Sequence, residues 1–382
     1  MTTTINNEHK KLNVPNLRFS EFQGEWEVES IKDVADFMGG GTPSSSNESF
    51  WQGTIPWISS SDIVENDIKN ISISRYITEE AIAHSATKLC PAPSILIVSR
   101  VGVGKIALSK EAICTSQDFC NLINIKVEPI FLTYCLSQIM KRKSMEVQGT
   151  SIKGITTSEI QKISINIPSL QEQKKIGKIL SLLDERIATQ NKIIGKLQSL
   201  IKGFRNDMYG KLRKSFGFNA MISDVLSYEQ PQPYIVENTE YTTEGTPVLT
   251  ANKAFVLGYT SETNGIYDKG DCIIFDDFTL DCKYVDFPFK VKSSAIKILT
   301  AKNKELLRYT FEFLKYLDLS TDEHKRHYIA ETQNQGIILP TEQMVKTIVH
   351  IFSTLSLRME TAVKQRNVFE KQKQYLLRQM FI

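Results

Sequence analysis

The chain has 382 residues, a formal net charge of +3 and a hydrophobic fraction of 41%. This length is too great for one ordinary core and predicts two domains of about 100 to 200 residues each, while the small net charge neither requires nor excludes nucleic acid as a partner. No apolar run approaches the roughly 20 residues that span a bilayer, and the opening MTTTINNEHKK has no apolar signal-peptide core, so an intracellular, cytoplasmic protein is expected.

The six cysteines are predicted to be buried free thiols. They are Cys90, Cys114, Cys120, Cys135, Cys272 and Cys282. They form no C-x-x-C pair, and no histidine stands at the spacing of a zinc finger. The sequence therefore indicates neither a structural zinc site nor a disulfide framework.

The chain begins with a segment of residues 1–20 that shows no clear pattern. A first α+β domain is predicted over residues 21–160, where PSILIVSRVGVGKIAL is typical of a strand, a turn and a second strand. Three loops of this domain combine small residues with hydrogen-bond donors: GGGTPSSS (39–46), RVGVGK (100–105) and QGTSIKG (148–154). Such loops can approach a nucleic-acid backbone, although ordinary turns have the same composition.

A spacer follows over residues 161–214 and consists of a strand and a long helix. The alternating ISINIP ends at Pro168, and Ser169 with Glu172 forms an S-x-x-E capping box, so a helix is predicted from Ser169 to about Tyr209. Its apolar positions step by four and three residues, which is the period of a coiled coil. The seam contains Ile176, Leu180, Leu183, Ile187, Ile194 and Leu197, with Gln190 as a polar member.

A second α+β domain is predicted over residues 215–335 and a second spacer helix over residues 336–382. This helix is expected from Thr341 to Met380. Its seam contains Ile348, Phe352, Leu355 and Met359. Each helix would be about 60 Å long at 1.5 Å per residue, too long for one small domain to cover, so the two helices are expected to pair with each other in antiparallel fashion.

An internal repeat relates the two halves of the chain. A shift of 172 residues without a gap aligns Pro168 with Pro340 and Met208 with Met380. More faintly, IKDVADF matches MISDVLSY, and PSILIVSRVGVGKIAL matches KGDCIIFDDFTLDCKYV. The sequence therefore predicts two similar domains and a pseudo-two-fold relation between the halves.

Together, GGGTPSS…WQGTIPWISSSDI, SILIVSRVGVGK, GTSIKGIT…INIPSLQEQ and the half-repeat resemble the DNA specificity subunits of type I restriction-modification systems. The resemblance covers nearly the whole chain, and the second domain departs from it most. It implies an α+β fold of two target recognition domains joined by two long antiparallel coiled-coil helices with pseudo-two-fold symmetry. Each domain would read one half of a split DNA sequence.

The resemblance also implies partners. They are double-stranded DNA, methyltransferase subunits and, through these, restriction subunits, and the partner subunits would carry all catalysis. No cofactor is implied for this chain, whereas S-adenosylmethionine, ATP and Mg²⁺ are implied for its partners. No membrane contact is expected.

Candidate DNA contacts follow from residue type and loop position. Phosphate contacts position a protein on DNA and base-edge contacts specify the sequence. In the first domain the candidates are Thr42, Ser44, Ser59, Ser60, Ser61, Arg100, Lys105, Gln117, Thr150, Ser151 and Lys153. In the second domain they are Asn252, Lys253, Lys325, Arg326 and Gln333. A rigid spacer between two such readers would fix the distance between the half-sites.

Three enzyme classes and a non-DNA scaffold built from the same helix pair are the alternatives. FMGGG (37–41) fits a methyltransferase pattern and GVGKIA (102–107) a dinucleotide pattern, but neither has the flanking elements that its chemistry needs. A metal-dependent nuclease is suggested by Asp271, Asp276, Asp277 and Asp281 near Lys283, since carboxylates beside a lysine can hold Mg²⁺ at a phosphate. A non-catalytic subunit is the preferred interpretation.

Overall fold

The structure is a computed structural model of the chain, and it describes residues 12–148, 154–251, 254–321 and 325–382. None of the helices in these ranges combines the length and the hydropathy that a membrane span requires. All six cysteines lie in these ranges, and each is a buried free thiol, as predicted.

The helices and strands of these ranges are numbered along the chain. The α-helices are α1 Ile31–Val34, α2 Glu79–Ala83, α3 Pro129–Gln148, α4 Thr157–Gln161, α5 Leu170–Phe216, α6 Ile222–Val225, α7 Lys304–Leu317 and α8 Glu342–Gln379. The first ten strands are β1 Glu27–Ser30, β2 Asp36–Gly39, β3 Ile55–Ile58, β4 Arg75–Ile77, β5 Leu89–Cys90, β6 Ser94–Val98, β7 Ile106–Ser109, β8 Ile113–Thr115, β9 Phe119–Ile123 and β10 Ser164–Ile167. The later strands are β11 Ala220–Met221, β12 Leu226–Glu229, β13 Thr246–Leu249, β14 Val256–Thr260, β15 Cys272–Asp276, β16 Cys282–Val285, β17 Lys290–Val291, β18 Ile296–Ala301 and β19 Gly336–Ile337.

Residues up to 191 form one compact unit with residues 364–382, called unit 1. Its antiparallel sheet has the order β2-β9-β6-β7, and a second sheet has the order β4-β3-β8-β5, in which β3 and β8 are parallel. Strand β6 is buried along its whole length. Ile95 and Ile97 belong to the core cluster that includes α3, whereas Leu96 and Val98 pack with residues of the second sheet. This alternation explains why β6 is apolar at consecutive positions.

Residues 192–363 form unit 2. Its antiparallel sheet has the order β12-β18-β15-β16, and a three-stranded sheet has the order β14-β13-β17, in which β13 and β17 are parallel. Strand β15 is buried in the same manner as β6. Ile273 and Phe275 pack with α7, and Cys272 and Ile274 pack with the three-stranded sheet.

The two units share one topology. The order β2-β9-β6-β7 corresponds to β12-β18-β15-β16, and the parallel pair β3-β8 corresponds to β13-β17. The two-stranded pairs β1-β10 and β11-β19 also correspond, and so do the short helices α1 (IKDV) and α6 (ISDV). The repeat predicted from the sequence is confirmed, and it extends into regions where the sequence similarity is faint.

Helix α5 is continuous over 47 residues, and the predicted end near Tyr209 is too early. The helix ends at Phe216, where Gly217 has a φ of +64° and donates its N–H to the Arg213 carbonyl oxygen at 3.0 Å. It continues past Tyr209 because this residue and Leu212 are buried in the core of unit 2. Tertiary burial therefore extends the helix beyond the point that the sequence predicts.

The start of α5 departs from the predicted capping box. The Glu172 N–H donates to Ser169 Oγ at 3.4 Å, which is one half of the box. The Glu172 carboxylate does not return to Ser169 but accepts two hydrogen bonds from Arg18. The prediction of a complete capping box is therefore wrong, because a cation from the N-terminal segment lies closer to this carboxylate.

Within unit 1, the first part of α5 packs against the last part of α8. Asp184 binds Lys373 at 2.5 Å, and the Arg186 guanidinium lies 5.5 Å from the centroid of the Phe369 ring. The residue number thus increases along α5 while the number of the contacting residue in α8 decreases. The two segments are antiparallel.

Within unit 2, the remaining parts of the same helices are also in contact. The rings of Phe204 and Phe352 have centroids 5.2 Å apart. Among the predicted seam residues of both units, Ile176, Leu180, Leu183, Ile194, Ile348 and Phe352 are buried, and Ile187, Leu197, Leu355 and Met359 are half-buried.

Candidate nucleic-acid interface

Four loops of unit 1 meet beyond the ends of β2, β3, β6 and β8. The Ser116 N–H donates to the Ile58 carbonyl oxygen at 2.9 Å, and the Ser99 N–H donates to that of Asp118 at 2.8 Å. The surface formed by residues 40–44, 59–61, 99–105 and 116–118 is called the loop edge. The predicted contacts that it brings together are Thr42, Ser44, Ser59, Ser60, Ser61, Arg100, Lys105 and Gln117.

The glycine loop of the loop edge fits closely against its neighbours. A Cβ on Gly40 would lie 2.0 Å from the Ser116 carbonyl oxygen, and a Cβ on Gly41 would lie 2.3 Å from a backbone carbon of the loop before β5. Both positions therefore require glycine. This path leaves Thr42 exposed, and its hydroxyl donates to Gln117 Oε1.

The serine turn of the loop edge is fixed by Arg75, a residue that no sequence motif marks. The Ser59 N–H donates to Asp62 Oδ2 at 2.7 Å, and Arg75 Nη2 donates to Ser59 Oγ at 2.7 Å and pairs with Asp62. The guanidinium lies 4.5 Å from the centroid of the Trp57 ring, a cation–π contact. The Arg75 side chain is 38% exposed, so it presents a fixed set of donors at this surface.

Two cations flank the glycine turn between β6 and β7. Gly102 and Gly104 have φ values of +90° and +104°, which favour glycine. Lys105 Nζ donates to the Ser60 carbonyl oxygen at 3.1 Å and so joins this turn to the serine turn. The Arg100 side chain is exposed and has no hydrogen-bonding partner in the described part of the chain. Its charge is available to an anion.

Some predicted contacts lie outside the described residues. They are Thr150, Ser151, Lys153, Asn252 and Lys253. The chain is described again from Gly154, and the Ile155 N–H donates to the Ser99 carbonyl oxygen at 2.7 Å. Gly154 and Ile155 therefore lie against the loop edge.

The corresponding surface of unit 2 follows β15 and contains Lys325 and Arg326. The His327 N–H donates to the Asp277 carbonyl oxygen at 3.1 Å, and the 172-residue shift aligns His327 with Ile155 of unit 1. Lys325 Nζ pairs with a carboxylate six residues later in the chain at 2.8 Å, and Arg326 Nη2 lies 3.4 Å from a serine hydroxyl. These two cations therefore lie beside the end of β15, at the place where Ile155 lies beside the end of β6 in unit 1.

The structure places Gln333 in a different setting. Its Nε2 donates to the Ile329 carbonyl oxygen at 2.8 Å, so one amide hydrogen of this side chain is used within unit 2. Gln333 precedes Gly336 and β19, and the residues 332–334 form a short 3₁₀ turn.

Two of the acidic residues that suggest a nuclease form ion pairs with lysines of unit 2. Asp277 and Lys297 form an ion pair at 3.4 Å in which both side chains are 1% exposed. Asp281 binds Lys315 at 2.5 Å. Burial raises the pKa of Asp281, but Lys315 and the neighbouring Lys283 lower it below its usual value overall.

The remaining carboxylates of this group also have partners. Asp276 Oδ1 accepts the N–H groups of Phe278 and Thr279, each at 2.9 Å, and Asp271 pairs with Lys304 at 2.9 Å. In the described ranges, no three His, Cys, Asp or Glu side chains are grouped so that they could hold a metal ion. These contacts account for the acidic residues that suggest a nuclease in the sequence.

Comparison with known proteins shows a similarity in the first half of the chain. A sequence model of the type I restriction modification DNA specificity domain matches residues 23–199, which include the whole loop edge and the first part of α5. This part of the chain is thus similar to the DNA specificity domain.

Two curated relatives carry the same description. The specificity subunit of the type I restriction enzyme EcoR124I/EcoR124II from Escherichia coli is 45% identical over 126 residues, which are 31% of this chain and 31% of the relative. The MjaIX specificity subunit from Methanocaldococcus jannaschii is 32% identical over 224 residues, which are 56% of this chain and 50% of the relative. The matched segments thus span half or less of each relative's own length.

One solved structure resembles the fold of nearly the whole chain. A crystal structure of a type I restriction-modification system S subunit from M. genitalium aligns with 97% of this chain and 99% of its own, with a TM-score of 0.67. The sequence identity of that pair is 16%, so the likeness concerns the fold alone.

Proposed function

We propose that this chain is the sequence-specific DNA-binding subunit of a type I restriction-modification enzyme, and that each unit reads one half of a split target. The shared topology of the two units is the observation that carries this proposal. The loop edge of unit 1 and the surface after β15 in unit 2 stand at equivalent places of one fold. A DNA-binding fold that occurs twice in one chain suits a target with two separate half-sites.

The loop edge offers both kinds of contact that a DNA reader needs. The exposed Arg100 suits a phosphate, because its charge has no partner among the described residues. Arg75 and Gln117 suit base edges, since a guanidinium can pair with guanine and an amide with adenine. Because Thr42 donates a hydrogen bond to Gln117 Oε1, the orientation of the Gln117 side-chain amide is fixed.

The two long helices are proposed to set the gap between the half-sites. Helix α5 passes from unit 1 into unit 2 without a break, and α8 does the same in the opposite direction. At 1.5 Å per residue, the 47 residues of α5 extend over about 70 Å. A stiff element of that length converts the separation of two readers into a constant.

The proposal assigns the chemistry to other subunits. Methyltransferase subunits would bind this chain directly, and restriction subunits would join through them, as the description of the relatives as specificity subunits suggests. S-adenosylmethionine, ATP and Mg²⁺ would serve those partners, and this chain would be non-catalytic, without a cofactor of its own. It would act in the cytoplasm, where the DNA is.

Methylation mapping tests the proposal. The chain is co-expressed with the methyltransferase subunit of its own host in a strain without DNA methylation, and modified bases are located by sequencing. We expect one split motif with a constant gap when both proteins are present, and no modification with either alone. The same methylation without this chain, or a continuous motif, would contradict the proposal.

A domain exchange gives a second readout. Replacing residues 21–160 with the corresponding region of another family member should change one half of the motif and preserve the other. DNA cleavage by the pure chain in Mg²⁺, abolished by Asp281→Ala, would instead establish a nuclease.

A further inference from the structure

Unit 2 has an exposed turn between β17 and β18 at the place that the turn after β8 occupies in unit 1. The Lys292 N–H donates to the Leu249 carbonyl oxygen at 3.1 Å, in the same way as the Ser116 N–H donates to that of Ile58. In both units the acceptor belongs to the strand that pairs in parallel with the strand before the turn. The turn of residues 292–294 is therefore the counterpart of the turn after β8 in the loop edge.

Arg326 contacts this turn from a separate segment of the chain. Its Nη2 lies 3.4 Å from Ser294 Oγ, which is a long hydrogen bond. The backbone beside it is fixed, because the buried Asp277 carboxylate accepts the N–H groups of His327 at 3.1 Å and Tyr328 at 2.8 Å. The exposed guanidinium is thus held next to the turn, with most of its donors unused in the described part of the chain.

The carboxylates of the segments that hold Arg326 are already paired with other cations. The Asp277 carboxylate pairs with the buried Lys297 at 3.4 Å. Glu331 pairs with the lysine that precedes Arg326 at 2.8 Å. Lys292 and Arg326 themselves are exposed, and neither forms an ion pair within the described residues. Their charges are therefore available to a ligand that carries acceptors or negative charge.

The two side chains suit different groups of DNA. A guanidinium is a planar fork of fixed donors, and it matches the O6 and N7 acceptors at the major-groove edge of guanine. A lysine ammonium is a compact charge on a flexible stem, and it suits a phosphate. Adenine and cytosine would instead require an amide or a carboxylate, and residues 292–294 have neither.

We propose that Arg326 recognises a guanine in the half-site read by unit 2, and that Lys292 contacts a phosphate of the same half-site. This assignment rests on the proposed function, and it names one base of the target. In unit 1 the equivalent turn carries Gln117, whose amide suits adenine. The two half-sites are therefore expected to differ in the base that lies against this turn.

Methylation of a target library tests the role of Arg326. The unmodified chain and each variant are co-expressed with the methyltransferase subunit of the host, and sequencing measures the preference at every base of both half-sites. The half-site of unit 2 is the one that stays unchanged when residues 21–160 are exchanged. Arg326→Gln should reduce the preference for guanine at one position about 10- to 100-fold and leave the other positions unchanged. Arg326→Lys should do the same, because it keeps the charge and loses the fork.

The salt dependence of DNA binding tests the role of Lys292. It is measured with the purified complex of the chain and the methyltransferase subunit. Lys292→Gln should weaken binding to all sequences by the same factor and reduce the slope of log K against log salt by about one. Lys302→Gln is the matched control, because Lys302 is exposed and follows β18 at the opposite end of the same sheet. It should change neither the slope nor any base preference.

The possible failures are distinguishable. Intact preferences in the half-site of unit 1 show that each variant is folded. If the unmodified complex methylates no split motif, the proposed function itself fails. If it methylates one but Arg326→Gln weakens every sequence equally or changes no preference, only the guanine assignment is wrong. An unchanged salt slope for Lys292→Gln would exclude Lys292 from the DNA interface.

Discussion

Lengthening both long helices by one heptad tests whether α5 and α8 set the gap between the half-sites. The structure supplies matched positions, because α5 enters unit 2 after Asn191 and α8 enters unit 1 after Val363, and the 172-residue shift aligns these two residues. Residues 185–191 (ERIATQN) would be repeated after Asn191, and residues 357–363 (LRMETAV) after Val363. Seven residues return each side chain to its face, so the seam is preserved.

The expected magnitude follows from helix geometry. Seven residues add about 10 Å at 1.5 Å per residue, which corresponds to roughly three base pairs at 3.4 Å each. DNA can bend to absorb part of the change, so an increase of about two to four base pairs is expected. Both half-sequences should be unchanged, because no residue of either unit's sheets or loops is altered.

Methylation mapping measures the outcome, and single insertions serve as controls. A heptad in α5 alone would displace one helix by about 10 Å relative to the other over half of their length. Contacts such as Asp184 with Lys373 would then be incompatible with those between Phe204 and Phe352. We expect the single insertions to lower thermal stability and abolish methylation. A double-insertion protein that still methylates targets with the original gap would refute the reasoning.

Three further predictions concern Glu172, Arg75 and the six cysteine thiols. Glu172→Gln should release residues 13–23, because it removes the buried carboxylate that pairs with Arg18, whose side chain is 16% exposed, and breaking a buried ion pair costs about 3 kcal/mol. Amide exchange in the segment should therefore accelerate roughly a hundredfold; unchanged exchange would contradict this. Arg75→Ala should reduce base discrimination at one position of one half-site by about 10- to 100-fold, from about 1–3 kcal/mol per contact, whereas an equal loss at every position would indicate a structural role only. Burial raises the pKa of Cys90 to about 11 and that of Cys114, Cys135, Cys272 and Cys282 to about 12. At neutral pH the native protein should therefore show no fast-reacting thiol, and the unfolded protein should show six reactive thiols; a reactive thiol in the native protein would contradict the burial.

The long helices could be predicted because their signals are local and periodic. Ser169 and Thr341 mark the helix starts to within one residue, since α5 begins at Leu170 and α8 at Glu342. The end of α5 could not be found in the same way. It depends on burial of Tyr209 by residues of α7 about a hundred positions later, and such contacts leave no local pattern.

The loop edge could be predicted only in part. Glycine, serine and threonine mark Thr42 and Ser59 as loop residues, but which loops meet depends on the parallel pairing of β3 with β8. Arg75 shows the limit most clearly. It reaches the serine turn because β4 pairs with β3 and places it opposite Trp57, and no spacing in the sequence records that register.

The two units suggest how such a fold can change its target without losing its shape. The Ser99 N–H donates to the Asp118 carbonyl oxygen at 2.8 Å in unit 1, and the Asp277 N–H donates to that of Ala295 at 2.8 Å in unit 2. These are the same backbone bond at the end of equivalent strands, although the side chain changes from a serine to an aspartate that pairs with the buried Lys297. Because the strand ends are held by backbone groups, side chains there can be exchanged while the loops keep their positions. In the proposed function, a constant backbone framework with exchangeable side chains lets the two halves of one chain read different DNA sequences.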